Sequence, residues 1–236
     1  MMGKLLHRLM GPERLVEAVT IVFSILLAFA IDAWWDTRIE SRRSQAQLET
    51  ISAELRIIEE SVTRIRIDFD SLRDAVARLL SSIGPEAPLL DPDQLYEWID
   101  LSFRGQTIEL ETGSVTALLA SGELSNIRNM NLKAALATWP ASVARVRLKS
   151  AQLEANRELI IDYLNDKFPT LEIAWKTGQM DRYPRSDFPA DPAQFQRDMK
   201  LEGLFANRGM LIEDTDSYLM EMQQSIANIL NLINTP

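Results

Sequence analysis

The sequence predicts an all-α chain: a single N-terminal transmembrane helix that continues into a long-helix antiparallel bundle with coiled-coil-like packing. Three observations predict it. Leu15 to Trp35, LVEAVTIVFSILLAFAIDAWW, is an apolar run of about 21 residues, enough at about 1.5 Å per residue to cross the hydrocarbon of a bilayer. Between Trp35 and Gly84 there is no Gly or Pro, and Leu48, Ile51, Leu55, Ile58, Val62, Ile65, Phe69, Leu72, Val76, Leu79 and Ile83 alternate spacings of three and four. That is the period of a helix with one buried seam. The same grid returns at Leu132, Leu136, Trp139, Val143, Val146, Leu153, Ile160 and Leu164, and again at Ile212, Thr215, Leu219, Met222, Ile226, Ile229 and Ile233. The chain therefore divides into a basic amphipathic segment over residues 1–14, a transmembrane helix over 15–35 and a helical-bundle soluble domain over 36–236.

The N-terminal segment sets Met1, Met2, Leu5, Leu6 and Leu9 against Lys4, His7 and Arg8, the pattern of a helix lying on an anionic leaflet. His7 is the one histidine in the chain, and without partners it reads as an interfacial side chain rather than a metal ligand. Gly11-Pro12 breaks this segment, with Pro12 placed to open the spanning helix.

Within the span, Glu17 and Asp32 flank the charge-free part and belong near the two interfaces. Trp34 and Trp35 follow as headgroup-depth anchors. Glu17, Thr20, Ser24, Ala28 and Asp32 succeed one another at spacings of three and four, making one stripe of small and polar residues opposite Val, Ile, Leu and Phe. In lipid such a stripe favours close helix packing, hence self-association or docking on another membrane protein. The plainer alternative is that the two acids snorkel and Ser24 and Ala28 are ordinary span residues. Ala28-Phe29-Ala30 also fits a signal-peptidase site, although the apolar run continues past it. Lys4, Arg8 and Arg14 before the span balance Arg38, Arg42 and Arg43 after it, so the positive-inside count is a tie. A basic start followed by an uncleaved apolar run behaves as a signal anchor, which places the short N-terminus in the cytoplasm and the soluble domain on the far side of the membrane.

Beyond the seam, Gly84-Pro85 ends the first helix, and Asp91-Pro92-Asp93-Gln94 and Asp191-Pro192-Ala193-Gln194 each set an N-cap Asp before a first-turn Pro. Leu and Ile at successive early seam positions would suit a parallel four-stranded assembly, while antiparallel packing within the chain could use the same seam. Ser121-Gly122 reads as a helix C-cap and Asn129 as the next N-cap. The second long helix contains Pro140, where a bend is expected, and carries Ser150 and Arg157 as polar interruptions of its seam. Arg157 is either a snorkelling side chain near the bundle's end or a buried ion-pair partner. Phe168 to Asp191 reads as one long irregular stretch, either a packed cover on the bundle or a binding surface.

Two segments carry a resemblance. Thr116 to Leu132, TALLASGELSNIRNMNL, resembles the L-x-x-S-G-x-L-x-x-I-x-N-x-x-L segment of an uncharacterised family of small bacterial single-span membrane proteins, a domain of unknown function. Val22 to Trp34 is similar to that family's span, which ends I-[ND]-x-W, with Ser24 where the family usually has Gly. The resemblance implies one N-terminal span and a helical domain, and no activity, substrate or catalytic residue.

Composition narrows the function. The 236 residues contain no Cys and carry a net charge of −9, which excludes a disulfide scaffold or thiolate metal site and disfavours nucleic acid as a partner. No nucleophile is paired with a base, no ligand set or phosphate loop occurs, and the last helix's Met residues read as core, so no enzyme activity, cofactor or metal is expected. The expected function is a non-catalytic membrane-anchored interaction or scaffold protein that oligomerises through the span and first long helix, with the lipid bilayer and either its own copies or another membrane protein as partners. The alternative is a ligand-sensing helical ectodomain that signals through a partner membrane protein, with Trp98, Trp175, Tyr183 and Phe188 as the candidate pocket aromatics.

Overall fold

The computed structural model describes residues 12–104, 108–178, 180, 182–188 and 191–235. The amphipathic segment with His7 lies outside the described residues. Among those described, every regular element is helical: α1 (Pro12–Ser82), α2 (Pro92–Phe103), α3 (Gly113–Ala120), a 3-10 turn (Glu123–Asn126), α4 (Met130–Lys167), α5 (Thr170–Lys176), α6 (Pro192–Gln196) and α7 (Met199–Asn234). The chain forms two compact units, Met1–Thr50 and Ile51–Pro236.

The absence of Gly and Pro beyond Pro12 has the expected result: α1 runs uninterrupted to Ser82. Every seam residue from Ile51 to Ile83 is buried, and Leu48 is half-buried. These side chains are covered with only one chain present. The α1 seam between Ile51 and Ile83 is therefore filled by the protein's own helices.

The caps follow the sequence closely. The Asp91 side chain accepts from Asp93 N–H at α2 and the Asp191 side chain from Ala193 N–H at α6. Asn129 Oδ1 accepts from Asn131 and Leu132 N–H at the start of α4. Gly122 closes α3 with φ +74, a left-handed conformation that a Cβ would disfavour. α4 continues through Pro140 to Lys167.

One reading needs correction. Phe168 to Asp191 is not irregular throughout: good helix formers between Pro169 and Gly178 give α5, whose Ile173 is buried. The Asp191-Pro192 start opens only the short α6; the last long helix begins after it, capped by Asp198 Oδ1 on Lys200 and Leu201 N–H at 2.8 and 3.1 Å. The grid of α7 consequently begins earlier than Ile212, with Leu201, Phe205 and Arg208 all buried.

Leu79, Ile83, Leu95, Ile160, Leu164 and Leu201 pack with a run of aromatic contacts, Phe168 to Phe195, Phe195 to Phe205 and Phe205 to Phe103, at centroid separations of 5.5, 6.2 and 6.2 Å. Gln196 ties the connection after α1 to this cluster. Its Nε2 donates to the Ser82 and Pro88 carbonyls, its Oε1 accepts from Leu90 N–H, and its carbonyl accepts from Gly84 N–H. A buried amide with both ends satisfied fixes a proline-containing connection that has no regular structure of its own.

Candidate functional sites: an exposed apolar helix segment and a pair of clefts

The first candidate lies in the unit Met1–Thr50. From Val16 to Ile39 the large hydrophobic side chains described are between 50% and 67% exposed, and they occupy all sides of the helix. A contiguous apolar surface of this kind does not persist in water on an unpartnered protein. α1 is the one described helix long and apolar enough to cross a membrane, by length and composition.

Glu17, Thr20, Ser24, Ala28 and Asp32 are exposed. The two hydroxyls of the stripe are satisfied on their own helix: Thr20 Oγ1 donates to the Val16 carbonyl and Ser24 Oγ to the Thr20 carbonyl, both at 2.8 Å. This back-bonding lets a hydroxyl sit in an apolar medium without a partner helix. Trp34 and Trp35 are adjacent, with ring centroids 6.3 Å apart, and the Arg38 guanidinium lies 5.3 Å from the Trp34 ring. A cation over an indole suits the depth at which apolar tails give way to headgroups.

The second candidate lies in the unit Ile51–Pro236. None of the four aromatics singled out from the sequence is among the residues that line the two clefts described below. Trp98 is half-buried against the aromatic cluster, Trp175 is half-buried beneath the Arg185 guanidinium at 4.4 Å, and Tyr183 and Phe188 are 58% and 78% exposed. Arg185 also pairs with Glu172, clamping the residues after α5 back onto it.

Other side chains form the concave surface. One cleft of about 300 Å³ opens between α2, α4 and α5, with Ile99, Phe103, Ile161, Leu164 and Ile173 among its walls. A second, of about 270 Å³, is lined by Asp93, Tyr96, Glu97, Asp100, Arg104, Lys176 and Thr177. Asp100, Arg104 and Thr177 line both. Asp100 is only 7% exposed and receives Arg104 Nη2 at 2.6 Å and Nε at 2.9 Å, a two-point pair one helical turn apart. Lys176 Nζ meets Asp93 at 2.6 Å. Tyr96 is 6% exposed, and its hydroxyl has no hydrogen-bond partner. Burial first, then the Glu172 and Asp93 charges, hold its phenol above the usual tyrosine range.

Arg208 is 3% exposed and reaches from α7 to the last turn of α2, donating from Nε to the Ser102 carbonyl at 2.7 Å and from Nη1 to the Leu153 carbonyl at 3.5 Å. Phe103 covers its guanidinium at 5.4 Å. Burial, with the nearby Arg157 charge, pushes Arg208 down to about 10, so it stays charged at neutral pH. It serves as a C-terminal cap for α2 supplied by another helix, where a cation and spare donors are both favourable. Arg157, the polar residue on the α4 seam, is only partly buried and pairs with Glu154 at 2.7 Å. Among the described residues the buried charges are Asp100 and, from α7, Arg208. A sequence signal for it existed: Arg208 continues the three-four grid backwards from Ile212.

Among the described residues no cluster of three or more His, Cys, Asp or Glu side chains has metal-binding geometry. No family model, no curated protein and no solved structure matches this chain.

Proposed function

We propose that this is a non-catalytic, single-pass membrane protein of the bacterial inner membrane whose helical domain, periplasmic and packed as an antiparallel coiled-coil-like bundle, serves as an interaction or scaffold module. One observation carries the reading: the apolar surface of α1 between Val16 and Ile39 is exposed on all sides, and lipid is the medium that covers such a surface at least cost. The antiparallel arrangement is supported by paired residues whose numbers rise on one helix and fall on the other: Thr63 with Gln223, Arg73 with Glu213, and Lys149 with Asp214 beside Asn156 with Leu204. The bacterial assignment rests on the resemblance of Val22 to Trp34 and Thr116 to Leu132 to the single-span family. Because the chain's own helices fill the seam from Ile51 to Ile83, association is assigned to the stripe of Glu17, Thr20, Ser24, Ala28 and Asp32, against a second copy or another membrane protein.

Carbonate washing of membranes tests the anchor: the protein is expected in the pellet, and its release overturns the reading. Protease added to intact spheroplasts should remove the C-terminal domain, and full protection reverses the orientation. Cross-linking through cysteines placed at Ser24 and Ala28 should trap a dimer or a mixed complex. A strictly monomeric pattern removes the association claim while leaving the anchor standing.

A further inference from the structure

We propose that the paired clefts formed by α2, α4 and α5 bind a small organic amine, its cationic head beside Tyr96 and its apolar body in the neighbouring cleft. The proposal does not depend on the membrane reading. Tyr96 is the starting point. Its ring belongs to the packed core and the residue lines the polar cleft, yet its buried hydroxyl neither donates nor accepts a hydrogen bond. Folded proteins leave few such groups, and one at the wall of a cleft is a place where a ligand atom completes the set.

The charges select the ligand's sign. Asp93, Glu97 and Asp100 line the polar cleft against Arg104 and Lys176. Both cations are committed, Arg104 to Asp100 and Lys176 to Asp93, whereas Glu97 has no ion pair among the described residues. An ammonium group restores the balance and offers donors to the Tyr96 oxygen and the Glu97 carboxylate. A carboxylate or phosphate would meet three acids and no uncommitted cation.

The second cleft selects the body. It shares Asp100, Arg104 and Thr177 with the first, and its other walls include Ile99, Phe103, Ile161 and Ile173, which suit a ring or short alkyl chain.

The test uses the full chain in detergent with phenethylamine as probe, against phenethyl alcohol and hydrocinnamate, matched in size but neutral and anionic. Saturable binding of the amine is expected by titration calorimetry, about tenfold or more tighter than either comparator. Tyr96→Phe and Glu97→Gln should each weaken it by about fivefold or more, with helical content unchanged. A purely structural tyrosine predicts instead that Tyr96→Phe leaves binding untouched and raises Tm by removing a buried unsatisfied hydroxyl. The proposal is overturned if the amine shows no saturable binding, if hydrocinnamate binds as well, or if both variants bind like the original chain. Should Tyr96→Phe fold poorly, exposed Glu97→Gln decides alone: undiminished binding overturns the proposal.

Discussion

Two stretches of α1 use the same residue types for opposite ends. Between Val16 and Ile39 every described Val, Ile, Leu and Phe is exposed, on all sides of the helix; from Ile51 to Ile83 the seam residues occupy one side and are buried, and Ile57 and Ile67 off the seam are exposed. The first stretch is the more apolar, and the angular distribution differs with it: an all-round apolar helix needs an apolar medium, whereas a stripe needs only a neighbour. Hydroxyls turn back onto their own backbone in both stretches, at Thr20 and Ser24 as at Ser61 and Thr63, while in the second Arg66 and Arg73 also reach across to Asp216, Gln223 and Glu213 on α7.

The sharpest way to break this comparison is to truncate one leucine on each side of it. Leu55→Ala empties a fully buried seam position and should lower the unfolding free energy of the helical unit by about 2–5 kcal/mol, read from urea titration in detergent. Leu26→Ala, on a 61% exposed residue, should leave that transition within about 0.5 kcal/mol. Equal losses would mean that the two stretches do not differ as described. Next in size is Arg208→Ala. Leaving the Ser102 and Leu153 carbonyls without their donor and the cavity unfilled should cost about 2–3 kcal/mol, and amide hydrogen exchange should speed up in α2 rather than in α4.

A smaller effect, about 1–2 kcal/mol, is expected for Asp198→Ala, which removes the cap of α7. Its other oxygen accepts from Tyr163 Oη at 2.7 Å, a bond that, with burial and the Asp198 charge, holds the Tyr163 phenol above its usual range. Above pH 10 the folded state therefore retains a phenolic proton that the unfolded chain has lost. Stability from this bond is complete below pH 10 and falls as pH rises through the folded value. Tyr163→Phe should flatten part of the alkaline limb of a Tm-against-pH curve; Tyr96 contributes in the same direction, so the limb should not vanish. An unchanged limb in Tyr163→Phe would refute the assignment. Apart from the Leu26→Ala control, the smallest effect belongs to Arg73→Ala, which breaks contacts to Asp70, Glu213 and Asp216. This network is about one-third exposed at Arg73 and should be worth no more than about 1 kcal/mol at low salt, disappearing in molar salt.

Long helices were legible in the sequence because their information is local and repeated. The spacing that marks Ile51, Leu55 and Ile58 recurs through Ile83, and Asp91, Asn129 and Asp191 bond their own neighbours. What escaped reading depends on residues far apart. Nothing near Gln196 indicates that its amide will hold Pro88 and Leu90, more than 100 positions earlier. α5 escaped because its seven residues lie among prolines and aromatics, where periodicity has too few turns to register. The aromatics of the 168–191 region suggested a pocket by their chemistry, yet concavity is a property of how helices meet, and α2, α4 and α5 meet around Asp100 and Tyr96 instead.

The short helix α3 is where this dependence has a consequence for how the chain assembles. Its N-cap position, Thr112, makes no side-chain cap; the Ser114 N–H is taken at 2.8 Å by Glu54 Oε2, 60 residues earlier on α1. A single eight-residue helix is below the length that holds itself together in water, and here its first turn is completed from outside. α1 must accordingly be in place before α3 persists. α3 thus acquires its shape late, as a reporter that the scaffold around it has closed.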